Sequence, residues 1–144
     1  MIKLLAMFAL LAPLASAQQI LSNLEGRDRV LLIFAPNALD PRFGHQLDAL
    51  EHHEAELASR DVVLIPLLQQ PGPSNPSPVL RNLRPPLVQA DEQIWIRRRF
   101  NVDPRDFVVI LLAKNDAEKL RAHAPVSAAR LKQTLDALHD ARPR

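Results

Sequence analysis

Hydrophobic and polar positions fall into blocks of different period along this chain. Val30 to Ala35 is an unbroken apolar run rich in branched side chains. Such a run predicts a strand covered on both faces in a parallel or mixed sheet, and Pro36 ends it. From Asp40 the period becomes helical. Asp40 is a favoured N-cap, and Pro41 suits the first helical position because its φ is preset and it has no amide hydrogen to leave unpaired. Phe43, Leu47, Leu50 and Leu57 then share one face while His45, Asp48, His52 and Glu56 share the other. One helix from Pro41 to about Ser59 is expected. Val62 to Leu68 is a second buried strand, so the first unit is β-α-β and should cross over right-handed.

Beyond this unit the pattern loosens and then recovers. Seven of the chain's thirteen prolines lie from Pro66 to Pro86. That density opposes both helix and central strand and predicts a long surface loop over 69–86, either a binding element or a tolerated insertion. Asp91 to Phe100 reads as a helix with Asp91 near its cap. A short strand is the alternative, because Ile94-Trp95-Ile96 in succession leaves no clean face. Phe107 to Ala113 is a third apolar strand, and the polar turn Lys114 to Ala117 leads to Glu118 to Arg121, which can pair back as a hairpin. A last helix starts near Pro125 and Ser127, carries Leu131, Leu135 and Leu138 on one face, and stops at Pro143. The resulting order, β-α-β-α-β-β-α, predicts an α/β, thioredoxin-like fold: a central mixed sheet with helices on both faces.

The N-terminus changes the picture of where this domain works. Met1 to Ala17 has a cationic start at Lys3, an apolar core from Leu4 to Leu14 and the small-residue end Ala15-Ser16-Ala17, as in a secretory signal peptide. Its apolar run is shorter than the ~20 residues that span a membrane. Gln18 follows the expected cut, so a lipoprotein cysteine is missing there. Export to the periplasm or the medium is expected. A lead-in over 18–28, with Ile20, Leu21 and Leu24 at helical spacing, would precede the main domain at 29–144. After cleavage, 127 residues remain, one domain's worth, with 17 basic and 16 acidic side chains. That balance argues against nucleic-acid or membrane-surface binding through bulk charge. The sequence contains no cysteine. Stability must come from packing, and dithiol exchange, peroxidatic thiols and thiolate metal sites are excluded.

The runs RVLLIFAP, LASRDVVLI, FVVILLAKNDAEKLR and LKQTLDALHDARPR resemble a secreted domain of unknown function, the P-DUDES family. It occurs alone in bacteria and is similar to modules in vertebrate sushi-repeat-containing and coiled-coil-domain-containing matrix proteins. The more specific pieces are Phe34-Ala35-Pro36, Gln46, Arg60-Asp61, Lys114, Lys119-Leu120-Arg121 and Leu135-Asp136. The resemblance implies a thioredoxin-like fold and no established activity. Where the family places Gly-Lys-Asp-Gly, this chain has Ala113-Lys114-Asn115-Asp116-Ala117.

Candidate chemistry centres on the turn from Pro36 to Gln46. The N-terminus of the first helix presents free amides and partial positive charge, which can hold a carboxylate or a phosphate. Arg42 adds a full charge, and Asn37 and Gln46 offer directional hydrogen bonds. Pro104 stands near the place where thioredoxin-like proteins put a cis-proline facing that helix, and Arg105 beside it would complete a small anion site. The plainer reading is that Asp40 caps the amides itself and Pro104 is a trans turn proline three residues ahead of Phe107. A second candidate is the stripe of His45, Asp48, His52 and Glu56, whose helical spacing suits zinc or copper, against the reading of a solvated polar face. Glu54 falls at an angle amid the apolar positions and calls for a partner or a raised pKa. Arg97-Arg98-Arg99 with Arg81 and Arg84 can form a basic patch for an acidic partner, although three consecutive helical residues point three ways. Trp95 is expected to pack.

With three glycines in the chain, a phosphate-cradling loop, a nucleophile elbow and a dinucleotide fingerprint are all missing. The reading that follows is an exported, cysteine-free thioredoxin-like module that binds a protein or a small anionic ligand without redox chemistry and without a cofactor. The alternatives are a thiol-independent enzyme using Arg42, Gln46 and Arg105 on a peroxide or anionic substrate, and a histidine-based metal-binding protein.

Overall fold

The computed structural model describes residues 19–70 and 77–140. The signal peptide expected over 1–17, the middle of the proline-rich stretch and the stop at Pro143 lie outside the described residues. Four strands form one mixed sheet: β1 (Arg29–Ala35), β2 (Val62–Leu68), β3 (Val108–Leu112) and β4 (Glu118–Ala122), in the order β2-β1-β3-β4. β1 runs parallel to β2 and antiparallel to β3, and β3 pairs antiparallel with β4. The helices among the described residues are α1 (Gln19–Leu24), α2 (Pro41–Leu50), α3 (Glu54–Ser59), α4 (Pro78–Leu83), α5 (Ala90–Phe100) and α6 (Ala128–Asp140).

Alternation along β1 builds two cores. Leu31, Ile33 and Ala35 point to the face covered by Phe43 and Leu47 of α2, Leu57 of α3, Val79 of α4 and Leu131 and Leu135 of α6. Val30, Leu32 and Phe34 point to the opposite face, where Leu21 and Leu24 of α1 meet Ile96 and Phe100 of α5. Period-two side chains covered on both sides explain why β1 is apolar from Val30 to Ala35. Each fully buried Leu, Ile or Phe contributes roughly 1.5–3 kcal/mol, and the two inner strands, β1 and β3, carry most such positions of the sheet. The expected mixed sheet with helices on both faces is thus present.

Two local expectations need correction. The helix from Pro41 to Ser59 is two helices. Glu51 leaves α2 with an extended ψ of 136°, His52 takes φ 70°, and α3 starts after His53. A left-handed non-glycine residue costs roughly 1–2 kcal/mol. The bend sets α3 against β2 and α4 with Leu57 still in the core, which offsets that cost. The proline-rich stretch also holds more structure than expected. Pro66 lies inside β2, within the strand expected over Val62 to Leu68, and is tolerated because β2 is an edge strand with one side free of ladder bonds. Pro78 opens α4, where the Ser77 hydroxyl accepts from Val79 N–H at 3.2 Å. Between helix and strand for 91–100, the helix is right: it runs from Ala90, with Asp91 in the first turn, near the Gln89 cap as expected.

The β3–β4 turn closes without glycine. Asp116 adopts φ 69°, Asn115 Oδ1 accepts from Ala117 N–H at 3.2 Å, and Ala113 N–H donates to Ala117 carbonyl at 2.9 Å. Asp and Asn tolerate left-handed backbone because their short polar side chains bond locally.

Candidate functional site

The site grows from the carboxyl ends of β1 and β2, where parallel strands leave carbonyls that the ladder does not use. Gln69 N–H donates to Ala35 carbonyl at 3.2 Å, and Gln70 N–H to Pro36 carbonyl at 3.1 Å. Arg97 from α5 takes the rest. Its Nη2 donates to Leu67 carbonyl at 2.9 Å and to Ala35 carbonyl at 3.3 Å, and Nη1 reaches Asp103 carbonyl at 3.5 Å. The guanidinium also stands over the Phe34 ring, 5.5 Å from its centroid. Arg97 is only 4% exposed, and its Nε–H has no hydrogen-bond partner among the described residues. Burial lowers its pKa, with the Asp103 charge acting the other way. An arginine remains charged at neutral pH even so.

α5 delivers this side chain through its own geometry. Ile96 and Phe100 face the core, and Arg97 flanks them on the wheel with Gln93 one turn earlier. Asn101 at φ 54° ends the helix, and Val102 N–H returns to Arg97 carbonyl at 2.9 Å. Gln69, Ile94 and Arg97 form the joint between two hollows. One, about 550 Å³, lies between β2 and α5 and is walled by Pro66, Leu68, Pro85, Pro86 and Leu87. The other, about 590 Å³, is walled by Arg98, Asn101, Asp103, Pro104 and Asp106. Leu87 and Ile94 are 87% and 54% exposed, two of the three large apolar side chains left open to water among the described residues.

The residues expected to form a site are divided by the structure. Asn37 Oδ1 accepts from Leu39 N–H at 2.9 Å and shapes the turn. Asp40 accepts from Arg42 N–H at 2.9 Å and also takes the Arg42 guanidinium on both oxygens, at 3.0 and 2.8 Å. The Arg42 hydrogen bond holds the Asp40 carboxyl below its ordinary value of 3.8, and Asp40 raises Arg42 in turn. The N-terminus of α2 therefore carries its own anion. Arg42 lies over the Phe107 ring, and the charge of Asp106, a wall residue of the second hollow, also raises its pKa. Gln46 is fully buried: Nε2 donates to Val126 carbonyl at 3.0 Å and Oε1 accepts from Val126 N–H at 2.7 Å. Its amide clamps α2 to the segment before α6. Pro104 follows a trans peptide bond and walls the second hollow, and Arg105, its side chain 90% exposed, leans on Asp103 at 3.4 Å.

The histidine–acid stripe does not survive the bend. His45 and Asp48 stay on α2, His52 lies in the bend itself, and Glu56 sits on α3 with Arg60 at 3.7 Å and Lys132 at 3.2 Å. No three potential metal ligands gather among the described residues. The bend likewise moves Glu54 to the half-buried first turn of α3. Trp95 packs half-buried against the α5-side core, with Arg99 over its ring at 5.6 Å. Sequence reasoning missed Arg97 by treating it as one of three surface arginines. Its wheel position, about 60° from Phe100, was the available signal.

A four-stranded mixed sheet with helices on both faces, and a cleft at the ends of its parallel strands, defines a thioredoxin-like α/β domain. The chain belongs to a family described as a domain of unknown function, DUF4174, whose model matches residues 20–141. No curated protein matches it. Among solved structures it is similar to the reduced 2-Cys peroxiredoxin of Plasmodium vivax, with TM-score 0.59 and 16% identity over 83% of this chain and 82% of that one. It is also similar to peroxidoxin BcpB of Mycobacterium tuberculosis, with TM-score 0.55 and 15% identity over 85% and 86%. A third is a putative electron transfer protein of Aquifex aeolicus VF5, with TM-score 0.55 and 12% identity over 82% and 85%. At these identities the likeness is one of fold.

Proposed function

We propose that this domain is an exported, non-redox binding module whose ligand lies in the double hollow around Arg97. The observation that carries the reading is the buried guanidinium at the joint, held by two strand-end carbonyls and keeping one N–H unpaired. An unpaired buried donor costs roughly 1–3 kcal/mol, a cost that an arriving acceptor removes. The absence of cysteine from the sequence keeps the peroxide chemistry named for the structural neighbours from carrying over. In this reading Pro104 walls the hollow, Arg42 and Arg105 set the charge of its rim, Asn37 shapes the adjoining turn and Gln46 supports α2 from inside. The kinship with the P-DUDES domains and their vertebrate matrix relatives belongs to the same proposal, supported by the motifs around Phe34-Ala35-Pro36 and Lys119-Leu120-Arg121.

The test is a fragment titration of the uniformly 15N-labelled domain, followed by amide and arginine Nε–H resonances. Saturable shifts clustered on Gln69, Ile94, Arg97 and Asp103 are expected. Shifts scattered over the surface, or none, would remove the binding site from this groove. Steady hydroperoxide consumption by thiol-free protein, lost in Arg42→Ala, would replace the module by an enzyme. Export is checked by secretion of the full chain and mass spectrometry of the product, whose first residue should be Gln18.

A further inference from the structure

The two hollows differ in chemistry, and the difference specifies a ligand. The β2-side hollow is bounded by Pro66, Leu68, Pro85, Pro86 and the exposed Leu87 and Ile94, an apolar trough that water covers at a cost. The other hollow carries two arginines and two aspartates. One of the aspartates, Asp103, already has an arginine outside the hollow's wall. Asp103 accepts from Arg105 N–H at 2.9 Å and meets its Nε at 3.4 Å, while Asp106, exposed at the wall, stays open to water. Arg97 and Arg98 are left. Arg98 is exposed and has no ion pair among the described residues, and Arg97 keeps its Nε–H free.

We infer, building on the binding-module reading, that the site takes a small amphipathic monocarboxylate, with its carboxylate at Arg97 on the side of the joint that Arg98 lines and its apolar tail in the trough beside β2. An arginine N–H and a neighbouring guanidinium match a carboxylate in both charge and geometry. The hollows fall in the size range of small-molecule sites, ~300–1,000 Å³. Arg97 Nε lies beneath the surface of the joint that Gln69 and Ile94 also line, so seating the ligand requires that lining to give way. Gln69 then offers its amide as a further donor.

The experiment titrates the 15N-labelled domain with sodium octanoate, 1-octanol and a short peptide ending in a free leucine carboxylate. Octanoate should shift the Arg97 Nε–H resonance and the Ile94 and Leu87 amides with one saturation curve. Octanol should bind at least about tenfold more weakly, since a hydrogen bond to a charged group is at stake. Arg98→Gln should weaken octanoate several-fold and leave octanol unchanged, and Ile94→Asp should weaken both; both positions are exposed, so folding is spared. Equal affinity for octanoate and octanol overturns the carboxylate inference and leaves the binding module standing. A peptide that binds about tenfold more tightly than octanoate assigns the groove to chain termini and overturns the small-molecule ligand. Failure of all three probes, together with failure of the fragment titration, removes the site itself.

Discussion

Arg42 and Arg97 stand at the same end of the sheet and meet opposite fates. Arg42 finds its carboxylate two residues away, on the Asp40 cap, and spends its charge in a pair at the surface. Arg97 finds carbonyls 30 and 62 residues away and is buried against Phe34 with one donor unused. The helix N-terminus that looks like a binding site is closed by its own sequence. The region that looks like plain surface charge holds the open donor. A local partner neutralises a charge as soon as the helix forms, whereas a distant one is supplied only by the assembled sheet, and it need not satisfy every N–H.

This contrast can be broken experimentally in steps of decreasing size. Arg97→Leu strips the donors from the Ala35 and Leu67 carbonyls and should cost roughly 2–4 kcal/mol in urea unfolding. A loss below about 1 kcal/mol would mean that Arg97 is not a structural clip. Gln46→Leu leaves the Val126 N–H and carbonyl buried without partners, and roughly 1–3 kcal/mol is expected. Retention of full stability there would show that the link from α2 to α6 is unimportant. Asp40→Ala removes the cap and should cost about 0.5–2 kcal/mol.

The pH dependence of that third change follows from the sign of the shift. Asp40 has a folded pKa below its unfolded value of 3.8, so its contribution is complete at neutral pH and is lost as pH falls below 3.8 through the folded value. The variant should therefore show a flatter acid limb, and an unchanged limb would deny the Asp40–Arg42 coupling. The smallest effect belongs to Glu92 on α5. It is 9% exposed with Oε2 unpaired, and burial, helped by Asp91, pushes its pKa above 4.5. A raised carboxyl pKa means that the ionised form destabilises the fold, so stability rises as pH falls through the folded value towards 4.5. Glu92→Gln should stabilise at pH 7 by under about 1 kcal/mol and remove that rise. Thermal melts at two pH values decide it.

How much was legible can be judged residue by residue. Asp40-Pro41 announced the start of α2, because capping is a contact within two or three residues. The end of α2 was hidden: no Gly or Pro marks it, and His52 adopts a left-handed conformation only because packing of α3 compensates. Ser77-Pro78 was a readable cap and first-turn pair, but the surrounding prolines masked it. The strand over Val62 to Leu68 was legible despite Pro66, but why it tolerates a proline was not, because that depends on the strand's place at the sheet edge and strand order is not a local property. Gln46 looked like a ligand-facing amide, and only the return of the chain at Val126 shows it turned inward.

By itself the sequence determined three apolar strands, the helices with strong caps, a sheet covered on both faces and a chain without thiol chemistry. These follow from side-chain period, short-range capping and composition. Only the tertiary structure decided which arginine is buried, which amide is committed and where a groove opens. Each of those depends on partners brought together from distant parts of the chain at the ends of the parallel strands, where the backbone leaves groups that no local contact can satisfy.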